Sequence, residues 1–165
     1  MSISFAPIAL SDVDSYRACI DAVARERNFL AITQAPPPHQ LTQLIRSSLE
    51  DDSVLIVARD QQRVVGWAQI QRGQGAVVAH RGDLGMGVSP AYRGRGLGKQ
   101  LLLSCIGAAG AKGIACIELE VRADNRCALN LYRSLGFNMD SIVRDAMLID
   151  GVFHNAFRMS LKLPV

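Results

Sequence analysis

Apolar and polar positions along the chain switch between a two-residue and a helical period, and the switches mark its elements. Residues 3–8 read as a first strand. After Ser11 the apolar positions Val13, Tyr16, Ile20 and Val23 fall at helical spacing, with Ser11 as the expected N-cap and Asp14 three residues on. Pro36, Pro37 and Pro38 interrupt that pattern, because each ring fixes φ and removes an amide donor. Leu41, Leu44, Ile45 and Leu49 then mark a second short helix. The continuous apolar run at 54–58 predicts a strand buried on both faces. Residues 64–70 predict its hairpin partner, across the turn-like Asp60-Gln61-Gln62. In a further strand at 80–88, Gly85 and Gly87 alternate with Leu84, Met86 and Val88. Glycines inside a strand mark a bulge, or a place where another backbone or a ligand comes close.

Pro90 ends that strand, and a helix is expected over 94–112, burying Leu97, Leu101, Cys105 and Ala109 and stopped by Gly113. Residues 114–122 form a strand with Ile117, Leu119 and Val121 on one face and Glu118, Glu120 and Arg122 on the other. Asp124 or Asn125 caps a helix through Leu135, with Ala128, Leu131, Tyr132 and Leu135 on one face and Gly136 at C′. Two strands close the chain around Asp150-Gly151, a favoured hairpin dipeptide. In the last of them Phe157, Met159, Leu161 and Leu163 point inward, and Arg158, Ser160 and Lys162 outward. The expected class is α/β, a mixed sheet flanked by helices in one domain over 1–165.

Composition narrows the setting. With 165 residues, 49% of them hydrophobic and 20% charged, the chain can bury one core. No apolar run reaches the about 18–20 residues that cross a bilayer, and the start has no basic segment followed by an apolar one. The expectation is a cytoplasmic protein with no membrane partner. A net charge of +3 is too small a bias to imply nucleic acid. Cys19, Cys105, Cys116 and Cys127 have neither CxxC spacing nor paired histidines, so no metal site or disulfide framework is expected.

The chemistry concentrates between Gly85 and Lys99. Gly94, Gly96 and Gly98 let a backbone approach a ligand, amides at a helix start point outward, and Arg93, Arg95 and Lys99 add positive charge. Donors, dipole and cations together describe an anion site, with a pyrophosphate as its natural occupant. Walker spacing fails because Arg93 and Gln100 stand where glycine and a hydroxyl residue are needed. A Rossmann fingerprint read from Gly94 fails at Lys99. A glycine-rich turn with basic side chains facing solvent is the plain alternative.

What remains, Arg93-x-x-Gly96-x-Gly98, resembles the acetyl-coenzyme A pyrophosphate loop of the GNAT N-acetyltransferase superfamily. Downstream, Asn125-x-x-Ala128-x-x-Leu131-Tyr132-x-x-x-Gly136-Phe137 is similar to the other half of that superfamily's cofactor site. His80, Asp83 and Asp150-Gly-x-Phe153 are similar to the branch acting on free amino acids and small amines. The resemblance implies a mostly antiparallel sheet of about seven strands with about four helices. It also implies transfer of acetyl from acetyl-coenzyme A to a primary amine, directly and without a metal.

On that resemblance Arg93, Gly94, Arg95, Gly96, Leu97, Gly98 and Lys99 hold the diphosphate, and Met86, Gly87 and Val88 pair with the pantetheine arm. Tyr132 protonates the leaving thiolate, or is an ordinary buried aromatic. Asn125 caps its helix, bonds the cofactor arm, or does both. Asp83 is the first choice of general base, with Glu26 and His80 as alternatives. The same resemblance implies Glu26, Phe29, His80 and Phe153 as acceptor residues. Cys127, in the first turn of a helix, leaves a covalent route conceivable. A small-molecule amine is the expected acceptor, with a protein N-terminus or lysine, or a non-catalytic acyl-coenzyme A sensor, as alternatives. A homodimer is expected, since the superfamily often forms one.

Overall fold

The structure is a computed structural model that describes residues 2–50 and 53–164. Its strands are β1 (Ile3–Pro7), β2 (Ser53–Asp60), β3 (Arg63–Arg72), β4 (Arg81–Val88), β5 (Cys116–Arg122), β6 (Asn138–Ile149) and β7 (Val152–Lys162). Its α-helices are α1 (Val13–Ala24), α2 (Pro38–Leu49), α3 (Leu97–Ala111) and α4 (Arg126–Ser134). All seven strands join one sheet in the order β1-β2-β3-β4-β5-β7-β6. Only the β4–β5 pair is parallel. The expected α/β class, strand count and helix count all hold.

The run at 54–58 shows why the sheet is covered twice. Val54, Ile56 and Ala58 enter a core with Leu97, Leu101, Cys105 and Tyr132, on the face that carries α3 and α4. Leu55 and Val57, one residue out of step, enter a second core with Tyr16, Ile20, Leu41 and Trp67 under α1 and α2. Period-two alternation in an unbroken apolar run therefore demands helices on both sides. The β5–β7–β6 end differs: its β5 and β7 strands alternate charged with apolar residues. Its face opposite α3 and α4 is the polar one, carrying Glu118, Glu120, Arg158 and Ser160.

Several boundaries depart from the sequence expectations. Ser11 lies in a short 3-10 turn, and Asp12 is the N-cap position of α1. The Asp12 carboxylate accepts from Ala9 N–H at 2.8 Å and from the Arg59 guanidinium, with Nε at 3.0 Å. Burial opposes its charge, but the hydrogen bonds from Arg59 and Ala9 and the Arg59 charge hold its pKa below the usual carboxylate value. Pro38 opens α2, a position whose missing N–H costs the helix nothing. The β6–β7 turn has Asp150 at φ 51° and Gly151 at φ 78°, the left-handed pair that a two-residue hairpin requires.

Candidate active site

Parallel pairing between β4 and β5 covers Arg81↔Cys116, Gly82↔Ile117 and Asp83↔Glu118 and then stops. Beyond that point the two strands diverge. Ser89 N–H donates to Val65 O, and Gly73 N–H to Arg81 O, both at 2.9 Å. Odd-numbered β4 residues therefore turn their backbone groups toward β3, and even-numbered ones toward β5. The Leu84 carbonyl, both main-chain groups of Met86 and the Val88 N–H thus face an open edge of about 13 Å.

The loop after β4 builds a donor cradle at one end of this split. Gly94 and Gly96 adopt φ of 74° and 78°, a left-handed backbone that disfavours side chains, and Gly96 is the N-cap of α3. The expected start at Gly94 is corrected by these angles, which a helix cannot contain. The helical ladder opens with Gln100 N–H donating to Gly96 O at 3.2 Å, so the N–H groups of Leu97, Gly98 and Lys99 precede it. A Cβ at Gly98 would stand 3.3 Å from Met86 Cε and 3.4 Å from Leu131 Cδ2. Gly98 thus packs the start of α3 against both β4 and α4, next to the open β4 edge. Arg95 lies over the Tyr92 ring at 5.4 Å, and Tyr92 donates its hydroxyl proton to Asp60 at 2.7 Å.

Tyr132 sits on the inner side of α4, its ring 5.6 Å from that of Phe137. The residue is only 7% exposed, and burial pushes its phenol up to about 12. Among the described residues Ser53 Oγ is the single buried side-chain N or O atom without a partner. The Tyr132 hydroxyl has no hydrogen-bond partner among the described residues. A protonated phenol whose hydroxyl is not tied to a neighbour is the form a proton donor needs. Asn125 caps α4, its side-chain oxygen accepting from Ala128 N–H at 3.2 Å.

On the polar face, over the paired end of β4 and β5 and beside the start of the split, lies a cavity of about 610 Å³, lined by Arg81, Asp83, Glu118, Glu120, Asp140 and Arg158 over Leu84, Leu119 and Met159. Continuing the parallel register places Glu120 level with Gly85, and Arg122 level with Gly87, across the widening gap. Gly85 leaves its side open, since a Cβ there would meet nothing within 4 Å. Gly87 is needed for another reason: the Trp67 ring lies where its Cβ would be, 2.2 Å away. Asp83 reaches this cavity, as does Glu120, on the face of β5 that also carries Glu118 and Arg122. The signal was present in the alternation of Glu118 and Glu120 against Ile117, Leu119 and Val121. What was missing was the knowledge that the strand borders a split.

The remaining expected residues are scattered. Both oxygens of Glu26 are taken by Arg93, with Nη1 at 3.0 Å and Nη2 at 2.5 Å. Phe29 stands at the mouth, its ring 5.1 Å from the Arg122 guanidinium carbon. His80 is exposed before β4, at the closed end, about 26 Å along the strand from Val88. Its carbonyl accepts from Ala115 and Cys116 N–H. The structure does not bring His80 to the mouth. Phe153 is exposed and shares the β7 face of Phe157 and Met159, whereas Val152 and His154 occupy the opposite face. Cys127 is exposed near the start of α4. Among the described residues no cluster of three His, Cys, Asp or Glu could hold a metal, and no helix is long and apolar enough to cross a membrane.

The sheet splits after its third parallel pair, and a glycine-rich turn with unladdered helix N–H groups stands at that split. The acetyltransferase (GNAT) family model matches residues 20–137, and the chain belongs to that family. Over its whole length the fold is similar to a GNAT-family acetyltransferase from Streptococcus pneumoniae, with TM-score 0.92, 23% identity, and 98% and 100% of the two chains covered. It is similar also to the Salmonella typhimurium protein yncA, described as a putative acetyltransferase with its cofactor acetyl-CoA. That match has TM-score 0.92, 16% identity, and 100% and 96% coverage. Among curated proteins, a ribosomal protein bS18-alanine N-acetyltransferase of Haemophilus ducreyi is 39% identical over 79 residues, 47% of this chain and 54% of that one. Mycothiol acetyltransferase of Renibacterium salmoninarum is 50% identical over 52 residues, 32% of this chain and 15% of that one. The chain spans no more than 54% of the length of the first curated relatives it matches.

Proposed function

We propose that the protein transfers an acetyl group from acetyl-coenzyme A to the primary amine of a small molecule, directly and within a ternary complex. The observation that carries this reading is the split itself: an open β4 edge runs from the acceptor cavity to the amide cradle at the start of α3. Acetyl-coenzyme A supplies an acyl group already activated as a thioester. The N–H groups of Leu97, Gly98 and Lys99, with the charges of Arg95 and Lys99, hold the diphosphate at a helix N-terminus. Backbone groups of Met86 and Val88 pair with the pantetheine arm as a further strand would, Gly87 keeping their alternation. An edge N–H there polarises the acyl carbonyl. Asn125 holds α4 in place and, on this reading, meets the same arm.

Tyr132 gives a hydrogen bond, and then a proton, to the departing sulfur. An ammonium acceptor with pKa near about 10 must first lose a proton. Glu120 stands one pleat nearer the open end than Asp83, and we assign that proton to it, directly or through water, with Asp83 as the second carboxylate of the same cavity. Direct transfer uses no acyl-cysteine at Cys127. Phe29 lines the mouth from the acceptor side.

A second reading is acetylation of a protein N-terminus. It is favoured by the bS18-alanine N-acetyltransferase relative and by a cavity flanked by the polar face of β7. Thiol release from acetyl-coenzyme A, measured against amino acids, polyamines, aminoglycosides and short peptides, separates the two. Release with small amines is expected, lost in Glu120→Gln and reduced in Asp83→Asn. Release with peptides alone would transfer the assignment to the second reading, and no release with any acceptor would leave a sensor. We further place the protein in the cytoplasm as a homodimer. Ile142, Leu148 and Phe153 on one face of the β6–β7 hairpin, each at least 60% exposed, offer a surface for a second copy. A light-scattering mass of 17.9 kDa, that of one chain, would remove the dimer.

A further inference from the structure

We infer that Glu26 is a positioning residue that couples the loop at residues 25–37 to the diphosphate loop through Arg93, so that filling one site closes the other. The inference rests on the reading of residues 93–99 as the acetyl-coenzyme A loop. A single guanidinium makes the junction. Arg93 Nε donates to Val88 O at 3.0 Å, while Nη1 and Nη2 donate to the two Glu26 oxygens at 3.0 and 2.5 Å. Val88 is the last residue of the open β4 edge, Arg93 opens the glycine loop, and Glu26 lies two residues past the end of α1. One side chain therefore joins the strand edge that takes the pantetheine arm, the loop that takes the diphosphate, and the segment that borders the acceptor mouth.

Two more arginines hold the same short segment from other sides. Arg122, at the end of β5, donates to Asn28 O and lies over the Phe29 ring. Asp124 fixes that guanidinium, with contacts at 2.6 and 2.8 Å. Arg27 pairs with Asp150 in the β6–β7 turn at 2.7 Å. Residues 26–29 thus bridge the open end of the split from the β4 side to the β5 side and on to the terminal hairpin. The rest of the loop returns along α1, where Arg17 donates to Pro36 O and Asp21 accepts from Ala35 N–H. Hydrogen bonds from Ala35 N–H and then Arg25 hold the Asp21 carboxyl below its usual range.

The strength of the Glu26–Arg93 contact suits a reversible clasp. Its geometry is the bidentate fork that fixes orientation best, yet the side chains are 25% and 45% exposed, so solvent and salt weaken the pair. A buried pair would lock the mouth, and a fully solvated one would carry no information between the loops. Because Arg93 bonds Val88 O as well, ordering of the β4 edge by a bound arm fixes the guanidinium, and the fixed guanidinium fixes Glu26. Coupling between two sites needs a shared element that both bias. This arginine is the shared element.

Hydrogen–deuterium exchange of the whole protein, with and without acetyl-coenzyme A, tests the link without needing an acceptor. In the unaltered protein, cofactor is expected to slow exchange in residues 25–37 as well as in 93–99. In Glu26→Gln the slowing at 93–99 persists, the slowing at 25–37 falls to less than a third, and calorimetry shows cofactor affinity within threefold of the parent. Glu26→Asp, which keeps the charge, restores part of it. With an acceptor in hand, Glu26→Gln raises its KM about tenfold and leaves kcat within twofold. Equal protection of 25–37 in Glu26→Gln and in the parent overturns the coupling, as does bound cofactor that leaves 25–37 unprotected in the parent. Failure of calorimetry to detect cofactor at all would instead sink the reading of the 93–99 loop, so the two failures are distinguishable.

Discussion

Replacing Tyr132 by phenylalanine is expected to lower kcat by about 10²- to 10³-fold, with acetyl-coenzyme A affinity unchanged within twofold. The ring fills a space between α4 and Phe137 that phenylalanine fills equally well, so the fold is spared. Only the hydroxyl is removed, and in the fold it bonds to nothing else. Its raised pKa fixes the sign of the pH behaviour. Burial holds the phenol near 12, so it stays protonated throughout the neutral and mildly alkaline range. Ionisation of Tyr132 therefore gives no falling alkaline limb below about pH 11, and rate should rise with pH as the amine acceptor deprotonates. The measurements are kcat and KM from pH 6 to 10 for both forms, with calorimetric cofactor binding. Unaltered turnover in the phenylalanine form would take Tyr132 out of the mechanism.

Gly98→Glu is expected to weaken acetyl-coenzyme A binding at least 100-fold, about 3 kcal/mol. Two effects add. The new Cβ would stand 3.3 Å from Met86 Cε and 3.4 Å from Leu131 Cδ2, so these side-chain ends must give by a small amount beside the β4 edge. The new carboxylate would also stand at the amide cradle, where it both repels a diphosphate and satisfies its donors. That second effect makes the variant informative. An anion at a helix N-terminus favours the helix, so the loss of binding is not a loss of fold, and thermal denaturation should show a midpoint close to the parent's. Gly98→Ala supplies the steric part alone and should weaken binding only several-fold. Binding of the glutamate form within threefold of the parent would place the diphosphate elsewhere.

Much of this site was legible in the residues. Arg93, Gly96 and Gly98 mark this loop because the left-handed backbone at Gly96 favours glycine and the packing at Gly98 is tight for a side chain. Asn125, Gly136, and the Asp150-Gly151 pair mark local geometries that depend on a few neighbouring residues. The unbroken run at 54–58 predicted two covered faces, and the structure has two cores. Other positions depend on distant parts of the chain. Ser11 is a good cap by type, but Asp12 gains Arg59 as well as Ala9, and Arg59 is 47 residues away. His80 and Phe153 suit an acceptor site by type, yet one lies at the closed end of the split and the other on the face of α3 and α4. Glu120 was visible only as one of two acids on a polar face.

Local backbone demands, the two hydrophobic periods and the anion-binding loop are determined by the order of residues alone, because each arises from interactions over a few positions. Where β4 and β5 part company, which face of β5 borders the cavity, and the meeting of Glu26, Arg93 and Val88 are decided only by the tertiary structure. Those features depend on strand register and on contacts between segments 67 residues apart in the chain. No short-range pattern encodes such a separation, because the packing of both faces of the sheet sets it at once.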